Sequence, residues 1–397
     1  MKVLVALPRF PYPLEKGDKL RAYHQIRCLS KNNEVVLFCV SHTDIPDEDI
    51  EKLKPFCSSI KVVTPSNILV YANVLKAVFS INSLQVDGYW NTKKIRSEYL
   101  SFEKEQKPDV VFCQMVRTME WIKKSTLPKL LDFQDCLSKN VERRMQKSKG
   151  LLKKVLHYEF KMLRSCEYDA FQYYDAFTII SEADREAIPH HKNDEIAILP
   201  NGVDTTIFYP RNVETKYDII FSGNMHYPPN VDAALFLVKE IMPIVWQHLP
   251  NTTLMIAGAN PVATVKKLQS DKIKVTGWVD DMSECYAQSK IFVAPMRIGT
   301  GLQNKLLEAM AMKKPCITSL LANSALNAKD NEEVIVAQTA QEYANAIISI
   351  LNDKDNADKL ASNAYNYVLQ KYSWDNYNKI LEDILVKLND KRNNKNK

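Results

Sequence analysis

The sequence predicts an α/β protein made of two successive doubly wound halves, each built on a mostly parallel sheet. Short apolar, β-branched runs recur along the chain, and segments with helical spacing separate most of them, which is typical of βαβ units. This rhythm stops near residue 200 and then starts again. A chain of 397 residues is long enough for two domains, each with its own core.

Seven runs in the first half are predicted strands. They lie at residues 3–7, 34–40, 60–63, 109–113, 129–133, 176–180 and 196–199.

Six runs in the second half repeat the pattern after the Pro-Asn-Gly-Val-Asp joint at 200–204. They lie at residues 217–222, 253–257, 273–276, 291–294, 316–319 and 334–337. Glycines punctuate this joint and several of the strand ends. In open α/β sheets ligands lie at the carboxyl ends of the strands, so we expect these glycine turns to line a binding site.

The end of the chain has helical spacing, with apolar residues three and four positions apart over 340–351, 357–371 and 374–388. We predict a first domain at 1–200, completed by a helix at about 374–390, and a second domain at 201–373. The last dozen residues are polar and charged, and we expect them to fray.

Composition narrows the class of protein. The amino terminus passes directly into the first predicted strand without a signal peptide, and no window of about 20 uncharged apolar residues predicts a membrane-spanning helix. The eight cysteines lack C-x-x-C spacing, and several lie in apolar strands. They are typical of buried free thiols in a cytoplasmic protein.

The net charge of +6 is unevenly distributed. Residues 121–164 carry twelve Lys or Arg against four Asp or Glu. This excess suits anionic lipid or phosphate, and no nucleic-acid motif accompanies it. A solvated helix surface is the alternative. The apolar stretch at 68–81 is a second feature that suits docking on a membrane.

The stretch 290–319 carries the clearest chemistry: an apolar strand, a glycine turn at 297–301, a helix and another strand. The chain has only nine glycines, and two of them bracket Thr300 at this junction. Glycine permits close backbone approach, and the first N–H groups of a helix attract an anion. Lys305 adds a cation, and Glu308 shares its helix face with Lys305 and Asn304. A carboxylate beside an anion site suggests a ligand with hydroxyl groups, such as ribose.

A structural alternative stands beside this interpretation. Many α/β proteins have a glycine turn for packing alone, and Lys305 with Glu308 is also compatible with a solvated i,i+3 ion pair.

Five segments together resemble a known family. The chain resembles the GT-B glycosyltransferases of family 4, retaining enzymes that use nucleotide sugars, and in particular their bacterial exopolysaccharide branch. The segments are 17–21 (GDKLR), 201–204 (NGVD), 223–233 (GNMHYPPNVDA), 276–281 (TGWVDD) and 301–310 (GLQNKLLEAM), in the family's order and spacing. The resemblance covers nearly the whole chain. It implies two Rossmann-like domains that face each other across a cleft, with C-terminal helices crossing back to the first domain.

The resemblance implies donor-binding roles in the second half. Lys305 and the segment Gly301, Leu302, Gln303 and Asn304 are expected at the diphosphate, with Glu308 on the ribose and Arg297 as a second cation or a rim residue. Gly223, Asn224 and His226 are expected to face the donor, although a lone histidine is more often structural. Gly277, Trp278 and Val279 are expected beside the nucleobase, with Trp278 either stacking or packing.

In the first half, the resemblance places Gly17, Asp18 and Arg21 across the cleft from the diphosphate, where Gly17 permits close approach and Arg21 can grip an acceptor phosphate bidentately. An ordinary helix start capped by Asp18 is compatible with this role. Asp132 and Asp135 are candidates for holding the acceptor hydroxyl.

One position departs from the family pattern. Many members carry a glutamate eight residues before the position of Glu308, where this chain has Thr300. The departure bears on recognition of the donor sugar more than on nucleotide binding, and backbone N–H groups near Gly301 can take over part of the missing role.

The resemblance implies a retaining glycosyltransferase of cell-surface polysaccharide biosynthesis. Its donor is a UDP- or GDP-sugar, its acceptor a glycan or polyprenyl-linked sugar, and it needs no metal, cofactor or nucleic acid. We expect a cytoplasmic protein with peripheral contact to the inner membrane. Two alternatives stay open at this point. A nucleotide-sugar epimerase requires a histidine and acid cluster that the 299–308 motif lacks, and a non-enzymic homologue acting as a binding partner is favoured only by Thr300.

Overall fold

The computed structural model describes residues 1–14, 17–146, 148–298 and 302–395. The chain forms two compact units, one of residues 1–200 with 377–397 and one of residues 201–376. No helix in the described parts of the chain is long and apolar enough to cross a bilayer.

The first unit is built on a seven-stranded sheet in the order β3-β2-β1-β4-β5-β6-β7, with parallel pairing between neighbours. Its strands are β1 (Lys2–Leu7), β2 (Glu34–Val40), β3 (Ser59–Val63), β4 (Val110–Gln114), β5 (Lys129–Asp132), β6 (Ala176–Ile179) and β7 (Ala197–Ile198).

Helices cover both faces of this sheet. They are α1 (Gly17–Leu29), α2 (Asp47–Glu51), α3 (Asn67–Phe79), α4 (Lys93–Gln106), α5 (Met119–Ile122), α6 (Leu137–Gln146), α7 (Gly150–Asp169) and α8 (Glu182–Ala187), with a π-helix at Leu84–Tyr89.

Strand β1 shows why the apolar runs predicted strands well. Val3 and Val5 belong to the apolar cluster on one face of the sheet, and Leu4 and Ala6 belong to the cluster on the other face. Because side chains alternate between faces and both faces are covered, a central parallel strand is apolar throughout.

The second unit repeats the plan with six parallel strands in the order β10-β9-β8-β11-β12-β13. These strands are β8 (Tyr217–Ser222), β9 (Leu254–Ala257), β10 (Ile273–Val275), β11 (Ser289–Ala294), β12 (Cys316–Thr318) and β13 (Ile335–Val336).

The helices of the second unit are α9 (Pro228–Phe236), α10 (Met242–His248), α11 (Ala263–Lys266), α12 (Met282–Ala287), α13 (Asn304–Ala311), α14 (Leu320–Leu326), α15 (Ala340–Asn352) and α16 (Lys354–Lys371), with a π-helix at Leu237–Ile241. The predicted fold class, two parallel-sheet Rossmann-like domains, is confirmed, and each of the thirteen predicted strands is present.

The final helix, α17 (Trp374–Lys395), begins in the second unit and continues in the first. Leu381, Leu385 and Leu388 recur at helical spacing and pack into the core of the first unit. The expectation that the last dozen residues fray was wrong, since the helix extends to Lys395. Polar composition alone does not end a helix whose earlier turns are anchored by packing.

Cysteine chemistry agrees with the sequence. All eight cysteines are free thiols, six of them buried and Cys28 and Cys285 partly exposed.

Candidate functional site

Helix α13 carries the central residues of the predicted donor site. Leu306, Leu307 and Met310 are fully buried and hold the helix in the core of the second unit. Lys305 and Glu308 lie one turn apart and are only partly exposed. The preceding glycine turn, including Thr300 and Gly301, falls outside the described residues, whereas Leu302 and Gln303 lead directly into the helix.

The amine of Lys305 is held by neutral groups. Its Nζ donates to Oδ1 of Asn230, lies 3.9 Å from Sδ of Met296, and sits 5.1 Å from the ring centroid of Phe221. No carboxylate of the described residues forms an ion pair with it within 4 Å. Lys305 is therefore a positioned cation that has no carboxylate partner among the described residues.

Glu308 is held at one oxygen. Its Oε2 accepts a hydrogen bond of 2.8 Å from Oη of Tyr286, and that hydroxyl lies 2.6 Å from Oγ of Ser222. Oε1 has no hydrogen-bond partner among the residues described. One carboxylate oxygen is thus fixed in place while the other remains available for a ligand hydroxyl.

Burial shifts both titrations. It lowers the pKa of Lys305 to about 8, an effect that the nearby charge of Glu308 partly offsets. Burial also raises the pKa of Glu308, against the opposing hydrogen bond from Tyr286 and the charge of Lys305. Perturbed titrations of neighbouring groups are common at functional sites.

The alternative of a solvated i,i+3 ion pair between Lys305 and Glu308 is wrong. Neither side chain is fully solvent-exposed, and each has a different partner.

Two glycines explain how Asn230 reaches Lys305. A Cβ on Gly258 would collide with the carbonyl oxygen of Gly223, and a Cβ on Gly223 would meet Nδ2 of Asn230 at 2.7 Å. Both glycines have positive φ, so β8 and β9 end in a close backbone contact that only glycine allows. Asn230 fills the space and donates from Nδ2 to the carbonyl of Asn224 at 3.0 Å.

Asn224 and His226 lie in the exposed turn after β8. The Asn224 side chain accepts from the backbone N–H of His226 at 3.0 Å, and the histidine side chain faces solvent. Both residues therefore belong to the turn whose Asn224 carbonyl accepts the hydrogen bond from Asn230.

Arg297 is occupied by acidic partners. It forms a bidentate pair with Asp232, with distances of 3.0 and 2.8 Å, and lies 3.4 Å from Glu240. Its guanidinium also stacks over Phe236 at 4.3 Å. This geometry corresponds to the rim alternative: as a second cation at the diphosphate, Arg297 would first have to leave two carboxylates.

Trp278 is 62% exposed, and its Nε1 donates to Asp280 at 3.1 Å. It is not packed into the core, so the packing alternative is wrong. Gly277 before it has a φ of +72°, and a Cβ added to it would meet no atom within 4 Å. Val279 is half-buried.

Arg21 has a different role from the one predicted. It is 1% exposed and binds Asp132 through Nε at 2.6 Å and Nη2 at 3.1 Å. Asp132 also accepts from Gln25 at 3.1 Å and is fully buried. Arg21 is therefore not available for an acceptor phosphate, nor Asp132 for an acceptor hydroxyl: together they fasten α1 to the end of β5.

Gly17 and Asp18 begin α1. Asp18 pairs with Arg9 at 2.6 Å rather than capping the helix, and a Cβ on Gly17 would meet nothing within 4 Å. Asp135 accepts from Asn140 at 2.7 Å, while its Oδ1 is buried without a partner among the described residues. Burial, reinforced by the charge of Asp184, raises the pKa of Asp135.

Sequence reasoning missed Asn230 and Tyr286. Asn230 lies inside the 223–233 segment that carried the resemblance, so its position was visible but its role was not. Tyr286 had no signal at all, because only the fold brings α12 beside α13. No group of three or more His, Cys, Asp or Glu side chains in the described part of the chain is arranged to hold a metal.

Comparison with known proteins agrees with this architecture. Residues 216–353 match the family model described as glycosyl transferases group 1. An uncharacterized 44.6 kDa protein in the cps region of Klebsiella pneumoniae is 21% identical to the chain, and the match covers 94% of the chain and 96% of that protein.

Solved structures share the whole fold. Sucrose-phosphate synthase from Thermosynechococcus elongatus has a TM-score of 0.68 at 14% identity, covering 98% of this chain and 99% of its own. Anabaena Alr3699/HepE, solved in complex with UDP and glucose, has a TM-score of 0.69 at 14% identity, covering 96% of this chain and 99% of its own.

The fold is the GT-B fold that these structures share. The chain is a glycosyltransferase with a glycosyltransferase group 1 domain in its second unit.

Proposed function

We propose that the protein is a retaining glycosyltransferase of family 4 that moves a sugar from a nucleoside-diphosphate sugar to a glycan or polyprenyl-linked acceptor during cell-surface polysaccharide assembly. The observation that carries this proposal is that Lys305 and Glu308 lie one turn apart on α13, each held by a different partner. The similarity to a protein of a cps region supports the polysaccharide role.

The two side chains suit the two halves of a nucleoside diphosphate. Lys305 offers a cation that no carboxylate of the described ranges neutralises, which suits a diphosphate. The open Oε1 of Glu308 suits a ribose hydroxyl, since an ionised carboxylate only accepts hydrogen bonds. The complex of Anabaena Alr3699/HepE with UDP and glucose favours UDP over GDP as the carrier.

The reaction needs the leaving diphosphate to be stabilised as its charge grows. The acceptor oxygen bonds to the anomeric carbon on the face from which the diphosphate departs, the carbon–oxygen bond to the diphosphate breaks, and the acceptor proton passes to a phosphate oxygen. Lys305 stabilises the departing charge from a partly buried position, where electrostatic stabilisation is strongest. We propose that no metal is required.

Nucleotide titration tests the donor site. Calorimetry with UDP, GDP, ADP and CMP is expected to show tight binding of UDP or GDP alone. NMR of the reaction product is expected to show the same anomeric configuration as the donor sugar. Binding of none of these nucleotides, or an inverted product, would contradict the proposal.

We further propose that the first unit docks on an anionic membrane through one surface. Helix α3 exposes large apolar side chains that do not pack into the core of the first unit. Helix α7 exposes further apolar side chains next to two lysines. We call the following residues the α3–α7 surface: Ile68, Leu69, Tyr71, Leu75, Val78, Phe79, Ile81, Leu151, Leu152 and Val155, with Lys76, Lys153 and Lys154.

Contacts and charge support a lipid partner. Tyr158 of α7 donates to the carbonyl of Asn82, just after α3, at 2.9 Å, and lies 3.4 Å from the carbonyl of Ala77 in α3, so α7 contacts the end of α3. Phe79 is 87% exposed and Ile68 79% exposed, more than a soluble surface ordinarily leaves. Apolar side chains flanked by lysines are typical of helices that lie in a membrane interface.

Charge reversal and apolar removal test this surface separately. The double variant Lys153→Glu with Lys154→Glu is expected to lower sedimentation with phosphatidylglycerol vesicles at least tenfold, since each lysine contributes about 1 kcal/mol near an anionic bilayer. The double variant Leu75→Ser with Phe79→Ser is expected to lower it at least tenfold as well, because binding strength also scales with the apolar area buried in the membrane interface. Turnover of a soluble acceptor should persist. The control Ile380→Ser, on α17, should change neither. Vesicle binding that stays unchanged in both double variants would remove the membrane proposal, and dimerisation of the wild type through this surface would replace it.

A further inference from the structure

The first unit has a second cluster of polar side chains, at the topological switch point of its sheet. From β1 the chain moves outward through β2 and β3, and β4 then starts on the other side of β1. The carboxyl ends of two such strands leave a crevice where open α/β sheets bind ligands. Arg117 follows β4 at this crevice. Arg9 follows β1 and pairs with Asp18 at 2.6 Å, and its charge also acts on Arg117.

Arg117 forms no ion pair within 4 Å with a carboxylate of the described residues, although the charges of Asp18, Asp135 and Glu159 act on it. Nη2 donates to Gln85 at 2.7 Å, Nη1 lies 3.5 Å from Sδ of Met115, and the guanidinium carbon is 6.0 Å from the Trp90 ring. Its Nε is buried and has no hydrogen-bond partner within the described ranges. Burial, together with the charge of Arg9, lowers its pKa to about 10, so it stays charged at neutral pH. A buried guanidinium of this kind is stabilised by an anion.

An aromatic wall adjoins the cations. His42, which follows β2, stacks on Tyr89 at 4.2 Å between ring centroids and on Trp90 at 4.7 Å. Both imidazole nitrogens are buried and lack partners among the residues that the structure describes. Burial, with a smaller contribution from the charge of Arg9, lowers the pKa of His42 and so favours the neutral ring.

The other side of the crevice holds an acceptor group. Asp135 follows β5 with one carboxylate oxygen unpartnered among the described residues, and its charge acts on Arg117. Met115 and Gln134, which lead into Arg117 and Asp135, both have positive φ, at 61° and 64°. Non-glycine residues are held in such conformations at a cost, and they cluster at functional sites.

We infer that this crevice, hereafter the switch-point site, binds a saccharide that carries an oxyanion, with Arg117 on the anionic group, the Arg9–Asp18 pair beside it, and Asp135 on a sugar hydroxyl. The guanidinium nitrogen of Arg117 that lacks a partner among the described residues suits the anionic group, the aromatic side chains suit the sugar ring, and the similarly unpartnered Asp135 oxygen suits a hydroxyl. If the proposed function holds, this ligand is the acceptor, and it is an anionic sugar rather than a neutral one. The anion is either a phosphate or a carboxylate, since both fit a guanidinium.

Titration of simple sugars tests the switch-point site. Glucose 1-phosphate, glucuronate and methyl α-glucoside are titrated by NMR into the full chain, in the presence of saturating UDP so that the nucleotide site is filled. We expect one or both anionic sugars to bind at least tenfold more tightly than the neutral glucoside. Binding of the phosphate alone, or of the uronate alone, identifies which oxyanion the site takes.

Arginine variants locate the binding. Arg117→Gln is expected to weaken the anionic sugar by about 10- to 100-fold, the effect of losing a hydrogen bond to a charged group. Arg9→Gln, at a partly exposed residue, should weaken it less, and Arg117→Lys should restore part of the affinity. Arg164→Gln, on the exposed side of α7, is the control and should have no effect.

The outcomes are separable from those of the nucleotide site. The UDP affinity of Arg117→Gln should equal that of the wild type. Failure of the wild type to bind UDP would speak against the proposed function, but the sugar titration would still test the switch-point site. Binding of no sugar by the wild type, unchanged binding in both Arg117→Gln and Arg9→Gln, or equal loss in Arg164→Gln would each overturn the switch-point site.

Discussion

Lys305 combines a fixed position with a lowered pKa. The amine is partly buried against Phe221 and Asn230, and its pKa of about 8 lies below the ordinary value of 10.5. A diphosphate requires the protonated amine, whereas the free enzyme loses this proton as pH rises through 8. Nucleotide binding therefore takes up a proton in that range.

We accordingly predict that UDP affinity falls about tenfold between pH 7 and pH 9, as the protonated fraction of a group with pKa near 8 falls. The terminal phosphate of UDP is fully ionised over this range, since the second phosphate pKa is near 6. Calorimetry across this range checks the prediction. Lys305→Arg should bind UDP with little pH dependence, and an equally flat profile in the wild type would show that Lys305 does not hold the diphosphate.

Glu308 gives a second test at the residue scale. Glu308→Gln keeps the hydrogen-bonded contact to Tyr286 but removes the charge that faces the ligand. We expect UDP binding to weaken by about 1.5 to 3 kcal/mol, the range for a hydrogen bond to a charged group. The melting temperature of the free protein should change little. Glu284→Gln, on the exposed side of α12, is the matched control, and unaltered UDP affinity in Glu308→Gln would assign the carboxylate to the fold alone.

At the scale of elements, the buried pair of Arg21 and Asp132 fixes α1 against β5. Gln25 and Gln114 extend the network, since Gln25 donates to Asp132 and Gln114 donates to Gln25. All four side chains are at most 2% exposed. A buried pair of this kind sets the position of the helix start at Gly17 and Asp18.

Removal of one partner should be costly. Arg21→Ala is expected to lower the free energy of unfolding by about 3 to 5 kcal/mol, because it leaves the Asp132 carboxylate buried without its counter-ion. Arg185→Ala, which removes a surface pair with Glu182, should cost no more than about 1 kcal/mol. Urea denaturation measures both, and a loss in Arg21→Ala as small as that in Arg185→Ala would show that the pair is not structural.

The strands were more predictable than the side-chain partnerships. A strand buried on both faces shows itself locally as an apolar run, so all thirteen were visible. Arg21 was expected to bind an acceptor phosphate, because its buried partner Asp132 lies 111 residues away and leaves no local signal. Arg297 was left open between a second cation and a rim residue, because the sequence does not show that Asp232, 65 residues earlier in the chain, pairs with it. Sequence patterns give the type of a residue near a turn, while long-range packing decides what it touches.

At the scale of the whole molecule, each unit has polar side chains at the carboxyl edge of its sheet whose charge or hydrogen-bonding capacity is only partly matched among the described residues. The second unit offers Lys305 and Glu308, and the first offers Arg117, His42 and Asp135. The motifs predicted the second set because those residues are close in sequence. The first set comes from separate strand ends, and only Asp135 among its members was predicted.

The measurement that tests the account most directly is release of nucleoside diphosphate from a donor panel. UDP-glucose, UDP-N-acetylglucosamine and GDP-mannose are each incubated with the protein and a bacterial lipid and glycan extract that supplies acceptors. We predict turnover of at least one donor by the wild type and a loss of about 10²- to 10³-fold in Lys305→Ala, comparable to removing one charge-stabilising donor. Lys314→Ala, at a lysine that binds backbone carbonyls in the same unit, is the control for stability effects. No release from any donor, or equal turnover by the wild type and Lys305→Ala, would contradict the account.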